Sequence, residues 1–363
     1  MNVSRCMIIA QKEFADHLTS KRFFVILALF LIISVIGISQ GIGEYDRDLA
    51  AYQEKIAAVE SSGVTGWMPD RPSVLSIYSS ISDQIVIIGA VLAIAVGFDL
   101  VSKEKETKTL KTLLSHPIYR DEVINGKAIG GGAAIVLAIG LALLVSLAML
   151  LIAGIIPTVD EFSAIVTFGA ASILFLLIYF SLALTLSTLA RDSGSALIAT
   201  LVVFIILSSL LPLAGEITID AWAGERPDPP YVQKIIMSES GAMIPVGTDE
   251  QDPQGEEEAL KTYEAEAKVY YEKKAAVTAI VEAASPQTNY KKITEAVIDP
   301  YRVVKMQNSP QGPFGITVTD PDATPPHFTD VLAGLWGNIA LLLALLGVLF
   351  LSAYLYFMRM DVQ

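Results

Sequence analysis

The chain has 363 residues, 53% of them hydrophobic and 17% charged, with a formal net charge of −13. A soluble protein this acidic is not this apolar unless charge and oil occupy different segments. Here they do: long uncharged runs alternate with polar stretches, which marks a polytopic membrane protein, while the carboxylate excess repels nucleic acid and the single cysteine, Cys6, excludes an internal disulfide or a cysteine-based zinc site.

Residues 4–20 place Met7, Ala10, Phe14 and Leu18 on one helical face, with Lys12, Glu13, Asp16 and Ser20 elsewhere on the wheel. This predicts an amphipathic interfacial helix in a cytoplasmic segment 1–22, anchored at the headgroups by Lys21 and Arg22. The alternative is an N-terminal extension of the first span. A helix needs about 20 apolar residues to cross roughly 30 Å of hydrocarbon, and residues 23–43 are the first such run. No small-residue cleavage site follows it, so it reads as a retained helix. An outer loop, 40–83, leads to a short second run, 84–98, preceded by the mildly polar SVLSIYSSISD. After a cytoplasmic loop, 99–127, come the runs 128–156 and 162–190, joined by a tight turn, and then 195–214. These five runs form the unit 23–214.

Residues 215–329 read as a small extracytoplasmic domain. Pro-rich stretches bracket a helix over 256–284, stopped by Ser285-Pro286, and a shorter amphipathic segment over 290–298. A sixth run, 331–358, completes the unit 330–363 with a short tail. The expected fold class is therefore all-α, with six transmembrane helices, an N-terminal interfacial helix and an outer domain between helices 5 and 6. Orientation follows from basic residues near the spans. With the N-terminus inside, segments 1–22, 99–127, 191–194 and 359–363 hold twelve Lys and Arg, against three in the outer loops 40–83 and 157–162. Both termini are expected in the cytoplasm of a multi-pass cell-membrane protein.

The loop 99–127 carries Leu110, Leu113 and Leu114 along one edge of a Lys-studded helix that Pro117 ends. It reads as a docking surface, polar enough to stay out of the bilayer and apolar enough to seat in a groove. Its order, Ser102, Glu104, Glu106, Thr109-Leu110, Leu113-Leu114, Pro117, Arg120 and then Gly126-Lys127, resembles the loop of type-2 ABC transporter (ABC-2) permeases. Lys103 and Lys108 stand where that family's pattern has Gly. Lys12-Glu13-Phe14 with Lys21-Arg22-Phe23 is similar to the family's interfacial entry helix, and Ser285-Pro286 to a Ser-Pro before its last span. The subgroup that includes the permease for nitrous oxide reductase maturation is the most similar. It is functionally mixed and implies no substrate.

The resemblance implies a dimer of six-span subunits, a homodimer or a pair with another permease, with separate cytoplasmic ATPases beneath. It implies that Glu104 and Glu106 brace the loop helix near the span end, that Thr109, Leu110, Leu113, Leu114 and Pro117 belong to the docking segment, and that Arg120 and Lys127 hold it against acidic groups or lipid phosphate. Met7, Phe14, Leu18, Lys21 and Arg22 fall to the interfacial helix. The chain itself has no G-x-x-x-x-G-K-[ST] phosphate loop. Gly130-Gly131-Gly132 enters a span without the Lys and predicts close helix packing. Ionisable groups deep in the six runs are absent, which disfavours proton or sodium coupling. His17, His116 and His327 fall in different segments, so neither a metal site nor a cofactor is expected. Two functions remain: an exporter permease subunit powered by a partner ATPase, and a non-transporting transducer acting on an extracytoplasmic partner through 215–329.

Overall fold

The computed structural model describes residues 3–62, 72–109, 118–227, 235–237, 243–245, 253–299 and 328–360. Among them, six helices are long and apolar enough to cross a membrane: Lys21–Ala58, Val74–Glu106, Arg120–Ile152, Val159–Leu189, Ser193–Ala223 and Val331–Arg359, spans 1 to 6 in order. The molecule is an all-α polytopic membrane protein. The one strand pairing among the described residues is a short antiparallel ribbon, β1 (Ile235–Met237) with β2 (Met243–Pro245).

An interfacial-type helix, α1 (Val3–Thr19), precedes α2 (Lys21–Ser62), which carries span 1. Span 2 opens with a 3-10 turn at Val74–Tyr78 and continues through α3 (Ser79–Gln84), a π turn at Ile85–Gly89 and α4 (Ala90–Gly97). It finishes in α5 (Ser102–Glu106). Spans 3 and 4 are α6 (Arg120–Ile152) and α7 (Val159–Leu189). Span 5 is α8 (Ser193–Ile205), a second π turn (Ile206–Leu210) and α9 (Leu211–Ala223). Then come α10 (Pro253–Ala284), α11 (Pro286–Ile298) and α12 (Phe328–Arg359), the last carrying span 6.

Local chemistry sets the boundaries. Gly154, at φ +76°, turns the chain out of α6. Thr158 and Glu161 then cap α7 reciprocally: Thr158 Oγ1 accepts from the Glu161 amide at 3.3 Å and Glu161 Oε2 from the Thr158 amide at 2.7 Å. Span 2 starts ten residues before the expected run at 84. Its serines are tolerated because Ser76 and Ser79 donate back to the carbonyls of Ser73 and Ser76, each at 2.8 Å, and Tyr78 shares a hydrogen bond with Ser146 of α6.

Spans 2 and 4 form the centre of the bundle. Over its most apolar stretch, span 2 is 72% buried and span 4 is 67%, against 33% for spans 1 and 3 and 11% for spans 5 and 6. On α12, Trp336 and Tyr356 are both more than half exposed. Twenty residues of helix separate them, about 30 Å, so these amphipathic rings bracket one hydrocarbon thickness.

The short helix α11 packs on α12 and α7 near the level of Asn338, two residues inside that Trp336 boundary. Three of its polar side chains find partners in the spans. Tyr290 and Ser172 of α7 lie 2.9 Å apart, Thr294 and Ser82 of α3 2.9 Å apart, and Asn338 donates to Asn289 at 2.8 Å. Tyr290 also stacks on Phe175 with ring centroids 4.5 Å apart. On its wetter side, Lys291 pairs with Asp83 at 2.9 Å. The segment 290–298, expected inside a separate domain, is thus continuous with the bundle.

At the other end, α1 lies across the start of α6, where two glycines admit its backbone. A Cβ at Gly126 would stand 2.7 Å from Ile9, and one at Gly130 2.7 Å from the Ala10 carbonyl. Gly131 makes room for Phe180 of α7, so the glycine run serves two neighbours on opposite sides, while Gly132 meets only Leu177 at 3.4 Å. This crossing buries the side of α1 that carries its small residues. Cys6, Ala10 and Glu13 are buried, Phe14 is half-buried, and Met7 and Leu18 stay exposed beside Val3. The exposed stripe suits a headgroup layer.

Gly130→Leu should force α1 off α6, since overpacking of this kind costs about 1–3 kcal/mol. Maleimide labelling of Cys6, which is 3% exposed in the native fold, is expected to rise at least roughly tenfold.

Candidate functional site

The end of the bundle that carries both chain termini is laced by charged side chains, and α5 lies at its centre. Two backbone amides at the entry to α5, those of Val101 and Ser102, donate to Ser187 Oγ of α7 at 3.1 and 3.0 Å. The helix is only five residues long, so these bonds fix its start where its own ladder cannot.

Past the exposed Lys103, each of the three charged residues of α5 engages a different neighbour. Glu104 Oε1 accepts from Lys127 Nζ of α6 at 2.7 Å. Lys105 Nζ donates to the carbonyls of Thr188 and Ala190, the last of α7. Glu106 Oε2 accepts from the amide and hydroxyl of Ser193, the first residue of α8, at 3.2 and 3.0 Å. A cation therefore sits at the carbonyl end of one helix and an anion at the amide end of the next, each favoured by the local helix dipole. Between them, Asp192 caps α8 by accepting from the Ser195 amide at 2.8 Å, and that bond holds its carboxyl below the usual carboxylate range.

Lys127 is the hub. Its ammonium is 2% exposed and reaches Glu13 of α1 at 2.9 Å as well as Glu104 of α5. Two carboxylates on separate elements thus share one buried cation. The second oxygen of Glu104, Oε2, is buried without a hydrogen-bond partner, as is His17 Nε2 nearby on α1. Burial keeps the His17 imidazole below its ordinary pKa. Arg22 at the head of α2 meets Asp99 at 3.5 Å, and Arg120 at the head of α6 donates to the carbonyls of Met358 and Met360 at the end of α12, at 3.2 and 2.7 Å.

Of the residues singled out in the sequence, Glu104, Glu106, Arg120 and Lys127 converge on this end, and Thr109 bonds locally to Thr107 at 2.9 Å. Leu110, Leu113, Leu114 and Pro117 lie outside the described residues. Lys21 and Arg22 stand at the junction of α1 and α2. From the sequence, Glu13 and Ser187 have no role, and Lys105 reads as a docking lysine, whereas its ammonium is held by the end of α7. A lysine at the mouth of an apolar run was the available signal, because such a charge demands a carboxylate from somewhere. Lys108, in a position where glycine was expected, adopts φ +60°. The backbone there keeps the left-handed turn although the side chain disfavours it.

A family model described as "ABC-2 family transporter protein" matches residues 7–362. The chain is also similar to the "Probable ABC transporter permease protein NosY" of Pseudomonas aeruginosa, at 28% identity over 191 residues, which cover 52% of this chain and 61% of that protein. The match thus spans about three-fifths of that relative's length.

Lys127→Met removes the cation and strands two carboxylates, which should destabilise the fold by about 3–5 kcal/mol. Adding Glu13→Gln and Glu104→Gln should recover most of that loss in thermal unfolding of the detergent-solubilised protein. Lys108→Gly should instead raise stability by up to about 1 kcal/mol through relief of the left-handed backbone, read as a higher apparent Tm.

Proposed function

The chain belongs to the ABC-2 family of transporter proteins, and on that premise we propose that it is the permease subunit of an exporter whose energy comes from a separate cytoplasmic ATPase docking on α5 and the residues after it. The observation that carries this reading is the fastening of α5. In three consecutive residues, Glu104, Lys105 and Glu106 tie it to α6, to the end of α7 and to the start of α8. A push on this segment is delivered to three spans at once.

The neighbouring stretch, with Thr109, Leu110, Leu113, Leu114 and Pro117, supplies the apolar seat for the partner. Twelve basic residues on the terminal side against three in the short outer loops support a cytoplasmic location for that end and both termini, in a cell-membrane protein. Two copies would assemble over two ATPases. A phosphate loop is absent from the sequence, so nucleotide chemistry belongs to the partner.

One observation favours the transducer as a second reading: α10, the long helix of the 215–329 stretch, is seated tightly on α9, where a Cβ at Gly215 would stand 2.6 Å from Val281. A stroke reaching span 5 would move it. Reconstitution with the ATPase separates the two readings. ATP-dependent flux of lipid-like, peptide or drug-like cargo supports export, and ATPase activity modulated by an outer partner without flux supports transduction.

Docking itself is tested on lysines that the fold does not use. Lys103 and Lys108 are exposed, whereas Lys105 is committed to the end of α7. Charge reversal at Lys103 and Lys108, combined with Leu113→Ala and Leu114→Ala, should cut ATPase co-purification at least roughly tenfold, the equivalent of about 1.4 kcal/mol, with membrane insertion and Tm retained. Undiminished co-purification would move the docking site elsewhere.

A further inference from the structure

Span 5 is held in an unusual way. Only Ala196, Thr200 and Gly215 along it are fully buried, and half-buried side chains such as Leu197, Leu201 and Phe204 make its packing on the bundle. Specific polar ties add to that packing. At its cytoplasmic-side start, Glu106 of α5 grips the Ser193 amide and hydroxyl. Part-way along, at the π turn, the Leu207 carbonyl accepts from Ser285 Oγ at 3.4 Å. A π turn withdraws carbonyls from the regular ladder, and Ser285 supplies one with a donor. Ser285 simultaneously caps α11 by accepting from the Thr288 amide at 3.2 Å.

Beyond the π turn, α10 rides on α9 through two further contacts. Gly215 is the one fully buried residue of α9, and it lies under Val281. Lys273 Nζ donates to the Trp222 carbonyl at 3.1 Å, a cation at the carbonyl end of α9. Span 5 and α10 therefore form one clamped hairpin, half-buried against the bundle and gripped at its start by the Glu106 carboxylate.

We infer that this hairpin is a lever: Glu106 carries displacement of α5 into span 5, and the Gly215–Val281 seat carries it on to α10 at the opposite membrane face. The inference rests on the reading of α5 as the ATPase-coupled segment. It adds that Glu106 is a positioning residue and that α10 is the part of the molecule that responds outside.

The test uses the full chain with its ATPase subunit in nanodiscs, in a Cys6→Ala background and diluted with unlabelled chain. One nitroxide pair, at Val269→Cys on α10 and Val159→Cys at the head of α7, reports the lever. A second, at Thr107→Cys just after α5 and Tyr356→Cys on α12, reports the coupling segment. ATP trapping should shift both distances by roughly 2–5 Å, the scale of helix shifts in switching proteins. Glu106→Ala should abolish the α10 shift while the α5 shift and ATPase co-purification persist. Gly215→Ala should likewise uncouple α10, and Val281→Ala added to it should restore the shift by giving back the space. An α10 shift that survives Glu106→Ala, or an α5 shift with a stationary α10 in the parent, overturns the lever alone. Stationary labels at both pairs overturn the coupling reading and the lever with it.

Discussion

An ammonium sealed from water needs a counter-charge in contact, and Lys127 has two. Desolvating such a group costs several kcal/mol, which only close carboxylates return. That requirement decides where α1 and α5 can lie, because Glu13 and Glu104 must both reach the same nitrogen. The same turn of α6 also presents Gly126 and Gly130, which let the α1 backbone approach. Charge demand and steric permission therefore come from residues within one helical turn, and the placement of two other helices follows from it.

The remaining polar groups at this end repeat the logic at lower stakes. Lys105, Glu106, Asp192 and Arg120 each occupy a helix terminus of the complementary sign. Helix ends are where backbone groups lack partners, so these charged residues complete the helices whose ends they meet. The opposite end uses neutral partners instead. Around α11, hydroxyls and amides pair across Ser172, Ser82 and Asn338, which suits a helix packed near the edge of the hydrocarbon.

The six spans were legible in the sequence because long uncharged runs have no other stable environment. The family was legible in the spacing of the loop after span 2. Three things were not. Span 2 begins at Val74, but its serines read as loop because hydroxyl bonds back to the helix leave no trace in composition. The seat of α1 on α6 left no sign in apolar periodicity, which ranks side chains by hydropathy, whereas Gly126 and Gly130 select the small side, Cys6 and Ala10, and draw Glu13 in with it. The position of α11 was hidden for a related reason. Tyr290, Asn289 and Thr294 look like a solvated face until the matching hydroxyls and amides of three spans are seen opposite them. Lys108 is a further case, because its left-handed backbone stands where the family's pattern has Gly, and its residue type gives no sign of it.

The two π turns bear on how this chain aligns with its relatives. Each accommodates one more residue than a regular turn would, so everything beyond Gly89 in span 2 and beyond Leu210 in span 5 is rotated by about 100° from where an unbroken helix would present it. A relative lacking either bulge would match this chain with a single-residue gap inside a membrane helix, a place where gaps are ordinarily forbidden. Comparing side chains past that point without the gap would assign bundle-facing roles to residues that face lipid.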